Sequence, residues 1–142
     1  MAYLVKEKFK LSDLANLPQR RSGILIHEPD DFLSALYGHY LQAHNFDIKH
    51  CPHLALLKDH LLALNPAVLI LNAESVGRAS GDQIGGLNFR RDFPYLKVVT
   101  VGRDLTGDQV RRLMDAGVCS HINRKFSRPQ DLVILVQHLL AT

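Results

Sequence analysis

Apolar residues along the chain fall in short continuous blocks, and the block from Ala67 to Leu71 ends abruptly at Asn72. A strand buried on both faces reads as such a run, and its first polar residue marks where it leaves the core. Ile24 to Ile26, ending in His27-Glu28-Pro29-Asp30-Asp31, has the same form. Phe46 to Cys51, Lys97 to Val101 and Cys119 to Asn123 complete five predicted strands. Helical segments alternate with them. The acids after the first strand open a helix to about His44, where negative charge suits a helix N-terminus. His53 to Leu64 forms the second helix, and Ser80-Gly81-Asp82-Gln83 caps a third that Gly85 and Gly86 weaken. Thr106-Gly107-Asp108-Gln109 caps a fourth that runs to Ala116 and stops at Gly117. Ser127-Arg128-Pro129-Gln130 opens the last, whose body runs from Gln130 to Leu140.

Five strand-helix pairs with short connections imply an α/β fold in three layers, because right-handed crossovers place helices on both faces of a parallel sheet. The expected form is a flavodoxin-like (βα)5 doubly wound sheet with strand order 2-1-3-4-5 over residues 23–142, preceded by an N-terminal extension over 1–22. In such a sheet ligands and chemistry sit at the C-terminal ends of the strands, which makes Asn72 a residue of interest.

The chain of 142 residues fits one such domain, with 46% apolar and 22% charged residues. Its apolar runs are far short of the roughly 18 residues needed to span a bilayer, and no apolar leader is present, so a cytoplasmic location and no membrane span are expected. The net charge of +3 belongs to the arm: Lys6, Lys8, Lys10, Arg20 and Arg21 oppose only Glu7 and Asp13, and the remainder is balanced with twelve charges of each sign. Five spread cations read as a solvated extension, and nucleic acid is not expected as a partner. Cys51 and Cys119 are too few for a disulfide framework, and strand order puts them at opposite edges, so both are expected as free thiols.

Through ILIHEPDD, LNPAVLILN, VVTVGRDL and MDAGVCSHINRKF, the stretch from Gly23 to Leu140 resembles the receiver domains of two-component response regulators. The resemblance implies a place in signal transduction and protein partners. It further implies an acceptor aspartate after strand three, an acidic pair after strand one that holds Mg²⁺, a Thr or Ser after strand four and a Lys after strand five. Carried over by position, the acceptor falls on Asn72, the acidic pair on Glu28 and Pro29, the hydroxyl on Val101 and the lysine on Arg124, with the aromatic switch position on His121. Asp30 could stand in for the missing acid only if the loop shifted. A neutral amide is not a phosphoryl acceptor, and losing two of three carboxylates removes the basis for Mg²⁺ binding. The expectation is a pseudo-receiver, phosphorylation-independent and not an enzyme, without metal or other cofactor. Arg124 is expected to reach Glu28 with Asn72 bridging them, since a guanidinium suits a carboxylate.

Other residues add weaker readings. His44, His50, Cys51 and His53 cluster around strand two without a metal-ligand spacing, and the three histidines read as surface residues. Arg78, Arg103, Arg124 and Lys125 form a candidate anion edge, the basis of an alternative in which the fold senses a small anionic ligand. A second alternative gives the basic arm a nucleic-acid-associated regulatory role. Glycine-rich phosphate loops are missing, as is the Asp-x-His-x-x-Gly motif of cobalamin binders. On the last helix Ile134 falls opposite the core stripe of Leu132, Val133, Val136, Leu139 and Leu140, with Leu135 at its margin. That surplus suggests an interface, including a possible homodimer, through the fourth helix, fifth strand and last helix. Arg111, Arg112, Lys125, Gln137 and His138 are its candidate polar members. Burial against Leu11, Leu14 and Leu17 of the arm is an equal alternative.

Overall fold

The computed structural model describes residues 23–76, 84 and 87–141. Its five strands are β1 (Gly23–His27), β2 (Asp47–His50), β3 (Val68–Asn72), β4 (Lys97–Gly102) and β5 (Ser120–Asn123). They form one parallel sheet in the order β2-β1-β3-β4-β5. Among the described residues there are six α-helices: α1 (Asp31–Gln42), α2 (Leu57–Leu64), α3 (Ala73–Val76), α4 (Phe89–Asp92), α5 (Gly107–Asp115) and α6 (Pro129–Ala141). No described helix is long and apolar enough to cross a membrane.

Continuous apolar strands need cover on both sides, and the two cores supply it. Ile24, Ile26, Val68, Ile70, Val99 and Val101 face a layer built by Tyr37 and Leu41 of α1 and Leu132, Val133 and Val136 of α6. Leu25, Leu69, Leu71 and Val98 face the opposite layer, with Leu57 and Leu61 of α2, Val76 of α3, Phe89 of α4 and Leu113 of α5. Successive strand residues point to opposite sides, so each run divides between the two cores. β1, β3 and β4 are almost wholly buried, whereas every residue of edge strand β5 is half-buried.

Local signals hold closely where they rest on caps. Thr106 and Gln109 form a reciprocal capping box at α5, and Gly117 beyond it has φ 104°, the left-handed value that stops a helix at glycine. Asn65 ends α2 at φ 46° before Pro66, an equivalent stop. The last helix starts differently from expectation. Arg128, not Ser127, precedes its first turn, and its backbone N–H donates to Asp131 Oδ2 at 2.8 Å, with Pro129 at the first helical position where no N–H is missed. The second helix divides into a 3₁₀ turn over Leu54–Leu56 and α2 proper. The arm over 1–22 and the cap at Ser80 to Gln83, with Gly85 and Gly86, lie outside the described residues.

Candidate functional site

At the C-terminal ends of β1 and β3 two polar side chains meet in a buried setting. Asn72 Nδ2 donates to Glu28 Oε1 at 2.8 Å, and both residues are buried, at 8% and 3% exposure. The other amide atom is fixed as well, since Asn72 Oδ1 accepts from the Ser75 backbone N–H at 2.7 Å. A flipped amide would set oxygen against carboxylate and N–H against N–H, so the two neighbours dictate its orientation. Glu28 Oε2 accepts from the Asp30 backbone N–H at 3.0 Å. Each carboxylate oxygen of Glu28 thus has a neutral donor, which is how a buried carboxylate is tolerated.

The remaining pocket positions do not add acid. Pro29 is exposed. Asp30 turns its carboxylate to the helix, with Oδ1 accepting from the Leu33 N–H at 3.0 Å as the N-cap of α1. Val101 pairs with Asn72 in the β3–β4 register and is 3% exposed, an apolar side chain in the place the resemblance gives to a hydroxyl.

Arg124 does not make the expected bridge to Glu28. Its Nη2 lies 3.3 Å from Glu74 Oε1, and Glu74 Oε2 accepts from the Arg103 backbone N–H at 2.9 Å. Glu74, itself exposed on the short helix α3, takes the guanidinium, and Glu28 keeps its two neutral donors. The same carboxylate lies across the candidate anion edge: it holds Arg124 and the Arg103 backbone, while Lys125 sits 5.6 Å over the Phe126 ring. Arg78 lies outside the described residues.

On the other side of the sheet His27 is buried, with Nδ1 2.8 Å from the Cys51 carbonyl and Nε2 2.9 Å from Ser75 Oγ. A carbonyl only accepts, so Nδ1 bears a proton. Burial raises the Cys51 thiol's pKa, with a backbone hydrogen bond at His53 acting in the opposite sense. His121, at the switch position, meets Thr100 Oγ1 at 2.8 Å. Burial lowers its pKa, with the Glu74 carboxylate acting in the opposite sense. His44, His50 and His53 are exposed, and His50 Nδ1 lies 2.7 Å from Ser34 Oγ. Both cysteines are free thiols.

The candidate interface residues divide. Ile134 is 61% exposed, whereas Leu135 packs partly against the core. Arg111 and Arg112 both pair with Asp108 on the exposed side of α5, and His138 is exposed. Gln137 Nε2 lies 3.5 Å from His44 Nδ1, which turns it toward the end of α1 and away from the β5 edge.

Four residues of this region escaped the sequence reading: His27, Tyr37, Glu74 and Ser75. Only Tyr37 had a visible signal, as a hydroxyl-bearing side chain on the apolar face of α1 between Leu33 and Leu41.

The sheet order and the buried pocket at its C-terminal edge define a receiver-type (βα)5 fold. Solved response-regulator structures share it. An orphan response regulator of H. pylori superposes with TM-score 0.70 at 13% identity, covering 87% of this chain and 99% of that one. The isolated REC domain of RcsB from Salmonella enterica serovar Typhimurium, solved with a phosphomimetic, gives TM-score 0.69 at 17% identity, covering 85% and 89%. An atypical orphan response regulator, described as revealing a new phosphorylation-independent regulatory mechanism, gives 0.67 at 15% identity, covering 84% and 95%. No family model matches the sequence, and no curated protein matches it.

Proposed function

We propose that this protein is a pseudo-receiver: a cytoplasmic signalling module that regulates a protein partner without being phosphorylated, without Mg²⁺ and without enzymatic activity of its own. The observation that supports this most is the buried bond from Asn72 to Glu28. An amide donor here neutralises nothing, yet with the Asp30 N–H it occupies both oxygens of the one remaining acid, and a single carboxylate is too few ligands for a divalent cation. With Pro29 and Val101 at the flanking positions, neither a second ligand nor a phosphoryl-oxygen donor is supplied. The phosphorylation-independent mechanism ascribed to one structural neighbour agrees with this reading. The contact face is proposed along α5, β5 and α6, with Ile134 at its centre and Arg111, Arg112, Lys125 and His138 around it.

Titration with Mg²⁺ and beryllofluoride, followed by NMR, tests the reading. The expected result is no saturable shift at Asn72, Val101 or Arg124. Saturable shifts there would mean that the pocket still accepts a phosphoryl group.

A further inference from the structure

A pocket of about 100 Å³ opens between α1, the ends of β4 and β5 and the start of α6. Leu33, Leu36, Val101, Ile122 and Leu132 give it a nearly wholly apolar wall. Tyr37 and Arg124 also line it, and the buried Tyr37 hydroxyl and Arg124 Nη1 have no well-formed hydrogen-bond partner, with at most a weak contact in which the guanidinium donates to the phenol oxygen. Any closer approach between these two leaves the problem unsolved, because a guanidinium has donors and no acceptor. The phenol proton has nowhere to go. It also stays in place: burial raises the Tyr37 pKa, and the nearby Arg124 charge only partly offsets this. A buried donor left unmatched is costly, so the wall calls for an acceptor.

We propose that this pocket binds a small neutral molecule with a compact apolar body and a single hydrogen-bond acceptor, held by the Tyr37 O–H and Arg124 Nη1–H. Size points to roughly five or six heavy atoms, since a cavity of about 150 Å³ holds benzene. Charge points to a neutral acceptor. Glu28 and Glu74 both act on Tyr37 with a field opposite to that of Arg124, so two carboxylates already bear on the site and an anionic ligand would add a third negative charge. This site is separate from the anion edge, which uses the other guanidinium nitrogen, and it stands whether or not the pocket at Asn72 binds Mg²⁺.

Cyclopentanone is a suitable probe, titrated into the full chain and followed by NMR. Saturable shifts are expected at Val101, Ile122 and Leu132. Tyr37→Phe, with its fold checked by the retained spectrum, should weaken binding about five- to tenfold, the factor for one lost hydrogen bond. Cyclopentanecarboxylate should bind more weakly than the ketone. Should Tyr37→Phe fail to fold, Leu36→Phe narrows the pocket from a half-buried position and should remove the shifts. The proposal is overturned by silence at tens of millimolar ketone, which would leave the donors to water alone. It is equally overturned by undiminished binding in Tyr37→Phe or Leu36→Phe, or by tighter binding of the carboxylate.

Discussion

Asn72 shows how one atom can separate two chemistries. Replacing its amide by the carboxylate of Asn72→Asp removes the 2.8 Å donation to Glu28 and sets two buried acids against each other. At neutral pH this should destabilise the fold by about 1–3 kcal/mol, the cost of an unsatisfied buried group, measured by urea unfolding. Like charges in contact raise the folded-state pKa of one member, so the penalty should shrink as pH falls from 7 to 5. A constant penalty over that range would show that the two side chains are not in contact. His121 titrates with the opposite consequence. Its folded-state pKa is lowered, with burial the main cause, so its neutral form is favoured in the fold. Stability is therefore complete above the unfolded value of about 6.5 and lost as pH falls toward the folded value. The Thr100 hydroxyl can donate to the neutral ring or accept from the charged one, which leaves desolvation of the charge as the cause. Thermal melts between pH 7.5 and 5.5 should fall more steeply for the native chain than for His121→Gln.

Helix ends carry local chemistry that a sequence displays directly, and α5 is the clearest instance. Thr106→Ala removes one half of its capping box and should cost about 1 kcal/mol in chemical unfolding. Gly117→Ala at its other end should cost more than about 1 kcal/mol, since φ is 104° and a Cβ would lie 2.9 Å from the Arg90 backbone nitrogen. A small effect of both would show that α5 is held by packing alone. These two positions were readable because cap and stop depend on neighbours three or four residues away. Strand order was readable for a similar reason, as chirality and short connections leave few topologies. The start of α6 was misplaced because Ser127 and Gln130 offer the right residue types, while Asp131 supplies the contact. Choosing among such acceptors depends on the path of the preceding 3₁₀ turn, Arg124–Phe126. The pairing of Arg124 was hidden for a stronger reason. Glu28 and Glu74 lie 46 residues apart in the chain but near the same tyrosine in space, and no local pattern says which one a long cation will choose.

Over the whole molecule, both edge strands are incompletely covered, β2 exposed at three of its four residues and β5 half-buried along its length, and Ile134 is 61% exposed on α6. A side chain so exposed contributes little to folding, whereas Val136 on the same helix is fully buried. The two positions therefore separate stability from recognition. Val136→Ala should destabilise the chain by about 1–3 kcal/mol through lost burial and cavity formation, without selectively altering association of the folded fraction. Ile134→Asp should change stability by less than about 0.5 kcal/mol. If this face is where the protein meets a second copy of itself, Ile134→Asp should also weaken self-association about tenfold or more in sedimentation experiments, as expected when a charge enters the apolar centre of an interface. Lys125 and Arg112 at its rim should alter mainly the salt dependence of association. Unchanged association in Ile134→Asp, with its fold intact, would move the contact surface off α6 and leave this exposed isoleucine without a role in self-recognition.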